Sequence, residues 1–255
     1  MIIASYNVNG IRAALRKGFL KWASKSKAEI ICLQEIRANL DQIDPSIFEE
    51  EGWRVAFFPA NRPGYSGTGI ISRHPLMSIE MGTRDALSDE EGRVISSTVG
   101  DLRVTSVYAP SGSSGDHRQN LKMGWLSHFE KYTESSLERN PFCSIIAGDF
   151  NICHREIDIH NPKGLSSTSG FLPEEREWID SWMSRHHLID AFREKNPETK
   201  AYSWWSQRGR AKEKNLGWRI DYLLTTKDLR PRIKKSWIDA TVSCSDHCPT
   251  LVELE

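Results

Sequence analysis

Ser144-Ile145-Ile146-Ala147-Gly148-Asp149-Phe150-Asn151 is an apolar run with an abrupt polar end. A short apolar run bounded by turn formers reads as a buried strand. The strand covers Ser144–Ala147, and an acid and an amide two residues apart follow it. Period-two geometry puts both side chains on one face, and Gly148 leaves the backbone room. Asp, Asn and Gly are also turn formers, which leaves a plain turn as the other reading. The same pattern recurs along the chain. Asn7 and Asn9 close Ile2–Val8, Glu35 closes Ala28–Gln34, and Tyr108 closes Val104–Val107. Asp221 opens Tyr222–Leu224, and Asp246 and His247 precede Thr250–Val252. Polar groups at the mouths of buried strands are where α/β proteins place chemistry. Oxygen and amide donors with one histidine suit a hard cation and a phosphate ester better than zinc.

Helix-like runs separate the strands. Gly18–Ser26 has helical spacing, and Asn120–Leu137 carries Leu121, Trp125, Leu126, Phe129 and Tyr132 on one face. Pro173–His186 opens with a proline and then Glu174, Glu175 and Glu177, which suit a helix N-terminus. Further strands are expected at Ile30–Leu33, Trp53–Phe58 and Thr68–Ser72, with a hairpin Val94–Val99/Leu102–Tyr108 through Gly100–Asp101. Ile220–Leu224 and Thr250–Leu254 read as the last strands. Hairpins mixed with helix-separated strands predict an α/β protein with mixed sheets covered by helices. Nothing marks a boundary, so one domain over 1–255 is expected.

The 255 residues carry 34 basic and 34 acidic side chains, which neither favours nor excludes a nucleic-acid partner. Five cysteines, an odd number, fit reduced thiols and a cytoplasmic protein. Cys244-x3-Cys248 beside His247 lacks the second pair that closes a structural zinc site. No signal peptide or membrane span is expected. A monomer is expected because no long exposed apolar stripe is evident.

Several residues carry two readings. Glu35 at a strand mouth needs compensation, by a divalent cation or by Arg37 or Arg12. His247 next to Asp246 is placed for phosphate contact or proton work, and Asp221 could hold it by a carboxylate–imidazole bond. Tyr202, Trp204, Trp205, Trp218 and Tyr222 flank a basic loop, Arg208–Lys214. Cations with exposed aromatics hold backbone phosphates and displaced nucleotides. Some of these tryptophans also read as core, Trp205 first, and the loop as a solvated one.

Taken in order, six segments resemble the exonuclease III family of abasic-site endonucleases, within the metal-dependent endonuclease/exonuclease/phosphatase superfamily. They are Asn7-Val8-Asn9-Gly10-Ile11-Arg12, Leu33-Gln34-Glu35, Gly148-Asp149-Phe150-Asn151, Asn161-Pro162-Lys163-Gly164, Gly217-Trp218-Arg219-Ile220-Asp221-Tyr222 and Ser245-Asp246-His247-Cys248-Pro249. The resemblance spans essentially the whole chain. It implies a four-layer α/β sandwich, two mixed β-sheets packed face to face with helices outside. It implies Mg2+ or Mn2+ on Glu35, with Asn7, Asn9, Asp149, Asn151, Asp246 and His247 at or near the metal. Asp149 would orient or deprotonate the attacking water, positioned by Asn7 and Asn151. His247, held by Asp221, would contact the phosphate, and Tyr108 the phosphate or leaving group. Trp204, Trp218 and Ile220 would line a pocket for a flipped abasic sugar, with Arg219, Arg208 and Lys163 also toward substrate.

The implied activity is hydrolysis 5′ to abasic sites in double-stranded DNA, with 3′-5′ exonuclease and 3′-phosphatase or 3′-phosphodiesterase activity on 3′ blocks. The alternatives are mainly 3′-end processing with weak abasic-site cleavage, a non-catalytic nucleic-acid binder, or a phosphatase on small molecules or lipids. There are departures from relatives. Asn9 stands where some carry Asp, which weakens the case for a second metal. The loops Leu165–Thr168 and Ser111–Asp116 lack the basic and amide residues that relatives use against DNA.

Overall fold

The apolar runs pair into two six-stranded sheets. The structure is a computed structural model and describes residues 1–140 and 143–255. The first sheet contains β1 (Ile2–Asn7), β2 (Ile30–Gln34), β3 (Arg54–Phe58), β4 (Thr68–Ser72), β13 (Ile233–Ile238) and β14 (Thr250–Leu254), in the order β13-β14-β1-β2-β4-β3. The second contains β5 (Met77–Met81), β6 (Val94–Val99), β7 (Leu102–Tyr108), β8 (Cys143–Asp149), β9 (Leu188–Asp190) and β12 (Asp221–Thr226), in the order β5-β6-β7-β8-β12-β9. A short ribbon pairs β10 (Trp204–Trp205) with β11 (Gly217–Trp218). Each sheet is mixed: β1 runs parallel to β2 and β7 to β8, and the other pairs are antiparallel.

Both faces of each sheet are covered, which explains why so many strands read as unbroken apolar runs. Between the sheets, Ile3, Ile30, Cys32 and Ile70 meet Ile95, Val104, Ile145 and Leu223. Helices α1 (Ile11–Arg16), α2 (Phe19–Ser26) and α3 (Ser46–Glu49) cover the outside of the first sheet, where Phe19, Trp22 and Phe48 pack near Tyr6, Ile31 and Leu33. Short α4 (Ala86–Glu90) precedes β6. Helices α5 (Asp116–Arg139) and α6 (Pro173–Arg185) cover the second sheet, with Trp125, Phe129 and Trp182 against Ile146, Phe150 and Tyr222. Short α7 (Ala191–Lys195) packs on β12 and β13. The order is helix, sheet, sheet, helix: an α/β sandwich of four layers.

Register brings the polar strand ends to one rim. Tyr108 lies opposite Asp149, Asp149 opposite Asp221, and Asn7 opposite Gln34. A buried polar tie joins the sheets just below: Gln34 Nε2 donates to Ser106 Oγ at 3.0 Å, and Ser106 Oγ donates to the Leu33 carbonyl at 2.9 Å. Gly148 is required where β8 meets β7, because a Cβ there would come within 1.9 Å of the Val107 carbonyl oxygen.

The expected strands form within a residue or two of their bounds, and α5 starts four residues before the expected Asn120. Three edge strands lie outside the expected set. β13 carries exposed Lys234 and Lys235, β9 has only three residues, and β5 exposes Met77, Ile79 and Met81. Charge on an edge blunts unwanted pairing and also erases the apolar alternation that sequence reading depends on. The exposed residues of β5 also run against the stripe-free surface on which the expectation of a monomer rests. No helix among the described residues is long and apolar enough to cross a membrane.

One substrate-facing expectation is overturned. Arg219 is fully buried, with Nε donating to Asp158 Oδ1 at 2.7 Å and Nη2 lying 2.8 Å from Asp190 Oδ2. Trp218 and Ile220 face the opposite side, so alternation turns the residue between them inward. Arg193 joins the same Asp158 carboxylate. Burial alone would raise the Asp158 pKa, but the two guanidiniums outweigh it and hold it at about 2, below the ordinary 3.8. The unfolded chain therefore binds the extra proton first as pH falls. This contribution to stability is complete above about pH 4 and is lost on descent toward pH 2. Asp158→Asn is expected to cost about 3 kcal/mol at neutral pH, because it leaves buried guanidiniums undercompensated. Urea unfolding from pH 5 to 2 should show a flatter acid limb in the variant than in the wild type.

Candidate active site

The rim of the sandwich opens into a cleft of about 360 Å3. Its floor is built from strand ends of both sheets. Asn7, fully buried at the end of β1, donates through Nδ2 to Glu35 Oε1 and to Asp149 Oδ2, each at 2.8 Å. One amide thus joins a carboxylate that follows the first sheet's β2 to one that ends the second sheet's β8. Glu35 has φ +52, and its carbonyl accepts from the Gly10 amide at 2.7 Å, which holds its backbone against the β1 exit. Its second oxygen pairs with Arg37. Both compensations foreseen for this acid therefore have a basis: Arg37 is paired with it, and a cation-sized cluster adjoins it. Glu35, Asp149 and His247 each offer one donor atom, and the three atoms lie within 4.8 Å of one another. Two carboxylates and one imidazole form a donor set that could hold a metal ion.

Asp149 is fixed at both oxygens, because Oδ1 accepts from the Asn151 amide at 2.9 Å. Asn151 has φ +53, and its Nδ2 donates to the Ala109 carbonyl at 3.0 Å. The turn reading of Gly148–Asn151 holds, and it does not carry these side chains away from the cleft. The chain turns after β8, and Asp149 and Asn151 both border the cleft. Burial raises the Asp149 pKa, and Asp221 and Glu35 add to the rise, while His247 opposes it.

Asp221 stands behind His247, with its Oδ2 2.9 Å from Nδ1. Nε2 of the histidine lies 3.8 Å from Asp149 Oδ2. Burial would lower the His247 pKa, but Asp221 in contact and Asp149 and Asp246 nearby outweigh it and favour the imidazolium. Asp246 is pinned by Asn9 Nδ2 at 2.7 Å and by Trp204 Nε1 at 3.1 Å. The Cys244 thiol turns to the Lys17 carbonyl and that of Cys248 to the Tyr202 carbonyl, away from each other.

The walls of the cleft are aromatic and small-polar. Trp204 and Trp218 meet edge to face with centroids 6.2 Å apart, and Ile220 lies beside them. Tyr108, Ser111, Ser113, Thr168, Ser169 and Gly170 complete the wall. Desolvation of the Tyr108 hydroxyl, with Glu35 and Asp149 near it, pushes its pKa well above the ordinary value. Trp205 is buried, in line with its core reading. Arg208 and Lys163 are exposed and outside the cleft walls.

Two supporting residues escaped the sequence. Arg93 is buried with its guanidinium 4.9 Å from the Tyr108 ring centroid and donates to the Tyr108 carbonyl at 2.8 Å. Ser203 Oγ accepts from the Ile220 and Asp221 amides at 3.1 and 3.2 Å. Neither sits in a motif, and only the folded chain brings them to the site.

Residues 4–247 match the endonuclease/exonuclease/phosphatase family. The chain belongs to that family. It is 37% identical to an exodeoxyribonuclease of Bacillus subtilis over 98% of its own length and 97% of the relative's. It is 33% identical to the DNA repair nuclease APEX1 of Danio rerio over 98% of this chain and 80% of that one. Among solved structures, a 3′ phosphatase from Neisseria bound to a product DNA hairpin superposes with a TM-score of 0.93 at 25% identity, covering 100% of this chain and 99% of that one. A DNA-(apurinic or apyrimidinic site) endonuclease of Dictyostelium discoideum is likewise 34% identical over 98% of this chain and 69% of that one, so the relatives of this enzyme include exodeoxyribonucleases and abasic-site endonucleases.

The Asn7 bridge has a measurable consequence. Asn7→Ala should lower phosphodiester hydrolysis by roughly 10- to 100-fold, the range found when residues that orient ligands are removed. Single-turnover rates check this, with circular dichroism as the control for folding. A rate within twofold of wild type would show that the amide does not align the two acids.

Proposed function

We propose that the enzyme is a divalent-metal-dependent DNA-repair nuclease, acting as one domain over residues 1–255. It hydrolyses the phosphodiester 5′ to abasic sites in double-stranded DNA and trims nucleotides, phosphates and phosphodiester remnants from 3′ ends. The observation that carries this reading is the junction of two features in one cleft. The Glu35–Asp149–His247 cluster adjoins an aromatic wall of Trp204, Trp218 and Ile220.

Mg2+, with Mn2+ as a substitute, would supply charge neutralisation on the phosphoryl oxygens when bound. Glu35 would be its main anchor, with Asp149 adjacent and with Asn7, Asn9, Asn151 and Asp246 around them. Asp149 orients the attacking water and accepts its proton. Burial beside Asp221 raises its pKa toward the range a general base needs near neutral pH. Asn7 Nδ2 and the Asn151 amide hold its two oxygens, so it turns little during proton transfer. Asp221 keeps His247 charged and oriented, and the imidazolium donates from Nε2 to a phosphate oxygen. Nδ1 is taken up by Asp221, so Nε2 is the ring nitrogen left to face the cleft. Tyr108 meets the phosphate or the leaving oxygen.

Substrate choice follows from the wall. An abasic nucleotide has little stacking to lose on extrusion, and Trp204, Trp218 and Ile220 offer its bare sugar an apolar face. The small hydroxyl side chains at Ser111, Ser113, Thr168 and Ser169 leave the mouth open, which suits a 3′ terminus as well as an internal lesion. Arg208 and Lys163 contact backbone phosphates beyond the cleft.

The test is a duplex with one abasic-site analogue, incubated with Mg2+ or EDTA, using wild type and Asp149→Ala. Metal-dependent incision 5′ to the lesion by the wild type, with at least about a 1,000-fold loss in the variant, is expected. Release of 3′-phosphate from a nicked duplex without incision would move the principal role to 3′-end processing. No reaction on either substrate would overturn the nuclease reading. Asp221→Asn should keep DNA binding within a few-fold and lower kcat by about 100-fold or more, because the imidazole loses its charge partner. Binding and turnover measured on the same duplex check it.

A further inference from the structure

We propose that the buried ion pair between Lys122 on α5 and Glu175 on α6 is a positioning element for the reaction, setting the placement of Asn151 and of the cleft wall at Gly170. This rests on the nuclease reading above and deepens it.

Both side chains are fully buried and paired with each other. A buried pair of this kind is seldom needed for stability, since apolar replacements of the same volume often serve as well. The remaining bonds show what it holds. Lys122 Nζ donates to the Asn151 carbonyl at 2.8 Å. Glu175 Oε2 accepts from the Gly170 amide at 2.6 Å and the Leu172 amide at 3.0 Å. Glu175 Oε1 also accepts from Gln119 Nε2 at 3.1 Å, and Gln119 Oε1 accepts from Ser169 Oγ at 2.8 Å. One pair thus reaches two separate parts of the cleft.

Asn151 and Gly170 also touch each other's surroundings. The Gly170 carbonyl accepts from the Cys153 amide at 2.7 Å. A Cβ on Gly170 would come within 3.0 Å of the Trp218 ring and 3.1 Å of the Asn151 carbonyl. Backbone here is packed against backbone, with φ +53 at Asn151 and φ +95 at Gly170. A left-handed asparagine is held there by its bonds. Lys122 supplies one of them, on the same residue whose amide orients Asp149. Without the ammonium, the Asn151 carbonyl loses a buried donor and its peptide can rotate. The effect then passes to Asp149 Oδ1. Neither Lys122 nor Glu175 lines the cleft, so neither is a catalytic residue.

The variants are Lys122→Met, Lys122→Arg and Glu175→Gln, assayed on the abasic duplex and followed by 1H–15N correlation spectra of the whole protein. Lys122→Met should lower kcat by about 10- to 100-fold with KM within about threefold, as small misalignments at a reacting centre do. It should also shift the Asn151 and Gly170 amide resonances. Lys122→Arg should recover most of kcat, and Glu175→Gln should shift Gly170 and Leu172 more than Asn151. A purely structural role predicts a lower melting temperature with unchanged kcat per folded molecule and unmoved Asn151 and Gly170 amides, and that result would overturn the proposal. If Lys122→Met fails to fold, Lys122→Arg and Glu175→Gln carry the same readouts. If the wild type leaves every DNA substrate intact, the nuclease reading falls, and the amide shifts still decide whether the pair sets these two peptides.

Discussion

Glu35 and Asp149 come from different sheets, and a single side-chain amide separates them. Two carboxylates held this close in a buried rim repel each other unless something donates to both. Asn7 does so, with one NH2 group spending its two hydrogens on two acids 114 positions apart in sequence. The amide itself is fixed, because its Oδ1 accepts from the Asn9 amide at 3.0 Å. Everything else at the rim is arranged around this contact. The Gln34–Ser106 tie keeps the sheets from sliding just beneath it, and the apolar face between them supplies the low dielectric that gives each polar bond its weight. The sandwich is therefore a clamp that sets a carboxylate separation.

Around this clamp the charges are divided by their neighbours. Asp149 and Asp221 are both buried acids a strand apart, yet their surroundings differ. Asp221 is in contact with the His247 imidazole and favours its charged form, while Asp149 is held by neutral donors and lies 3.8 Å from that imidazole, which only partly offsets burial and the repulsion of Asp221 and Glu35. One acid is in contact with the imidazole, and burial with neighbouring carboxylates raises the pKa of the other. Pairs of titratable groups whose surroundings drive them apart are how one site holds an acid and a base at the same pH.

Much of this was legible because strand mouths leave a plain sequence signature. Apolar runs that stop at Asn7, Glu35, Tyr108 and Asp149, and one that begins just after His247, mark the rim in the sequence, and all of these residues but Asn7 border the cleft, where Asn7 lies buried beneath. The two-sheet packing and the layer order came with the family resemblance, since periodicity alone cannot tell which buried run pairs with which. Arg219 was misread because a motif joins residues that the pleat separates. Arg93 and Ser203 were invisible for the reverse reason, as their roles depend on contacts between distant segments. The edge strands β5, β9 and β13 were lost to charge, shortness and exposure, which are features that suit an edge.

The backbone at Asn9, Glu35 and Asn151 lies in the left-handed region, at φ +44, +52 and +53. Each such residue with a side chain carries a cost on the order of 1 kcal/mol that glycine would relieve. At these positions glycine would also delete a group that faces the cleft. The tension is thus stored in residues whose side chains line the cleft, and it cannot be relaxed one site at a time without stripping the cleft of its polar groups. Selection for a more stable chain would have to act elsewhere: on the edge strands, the helix ends, or exposed loops. The rim would stay as it is while the rest of the molecule drifted.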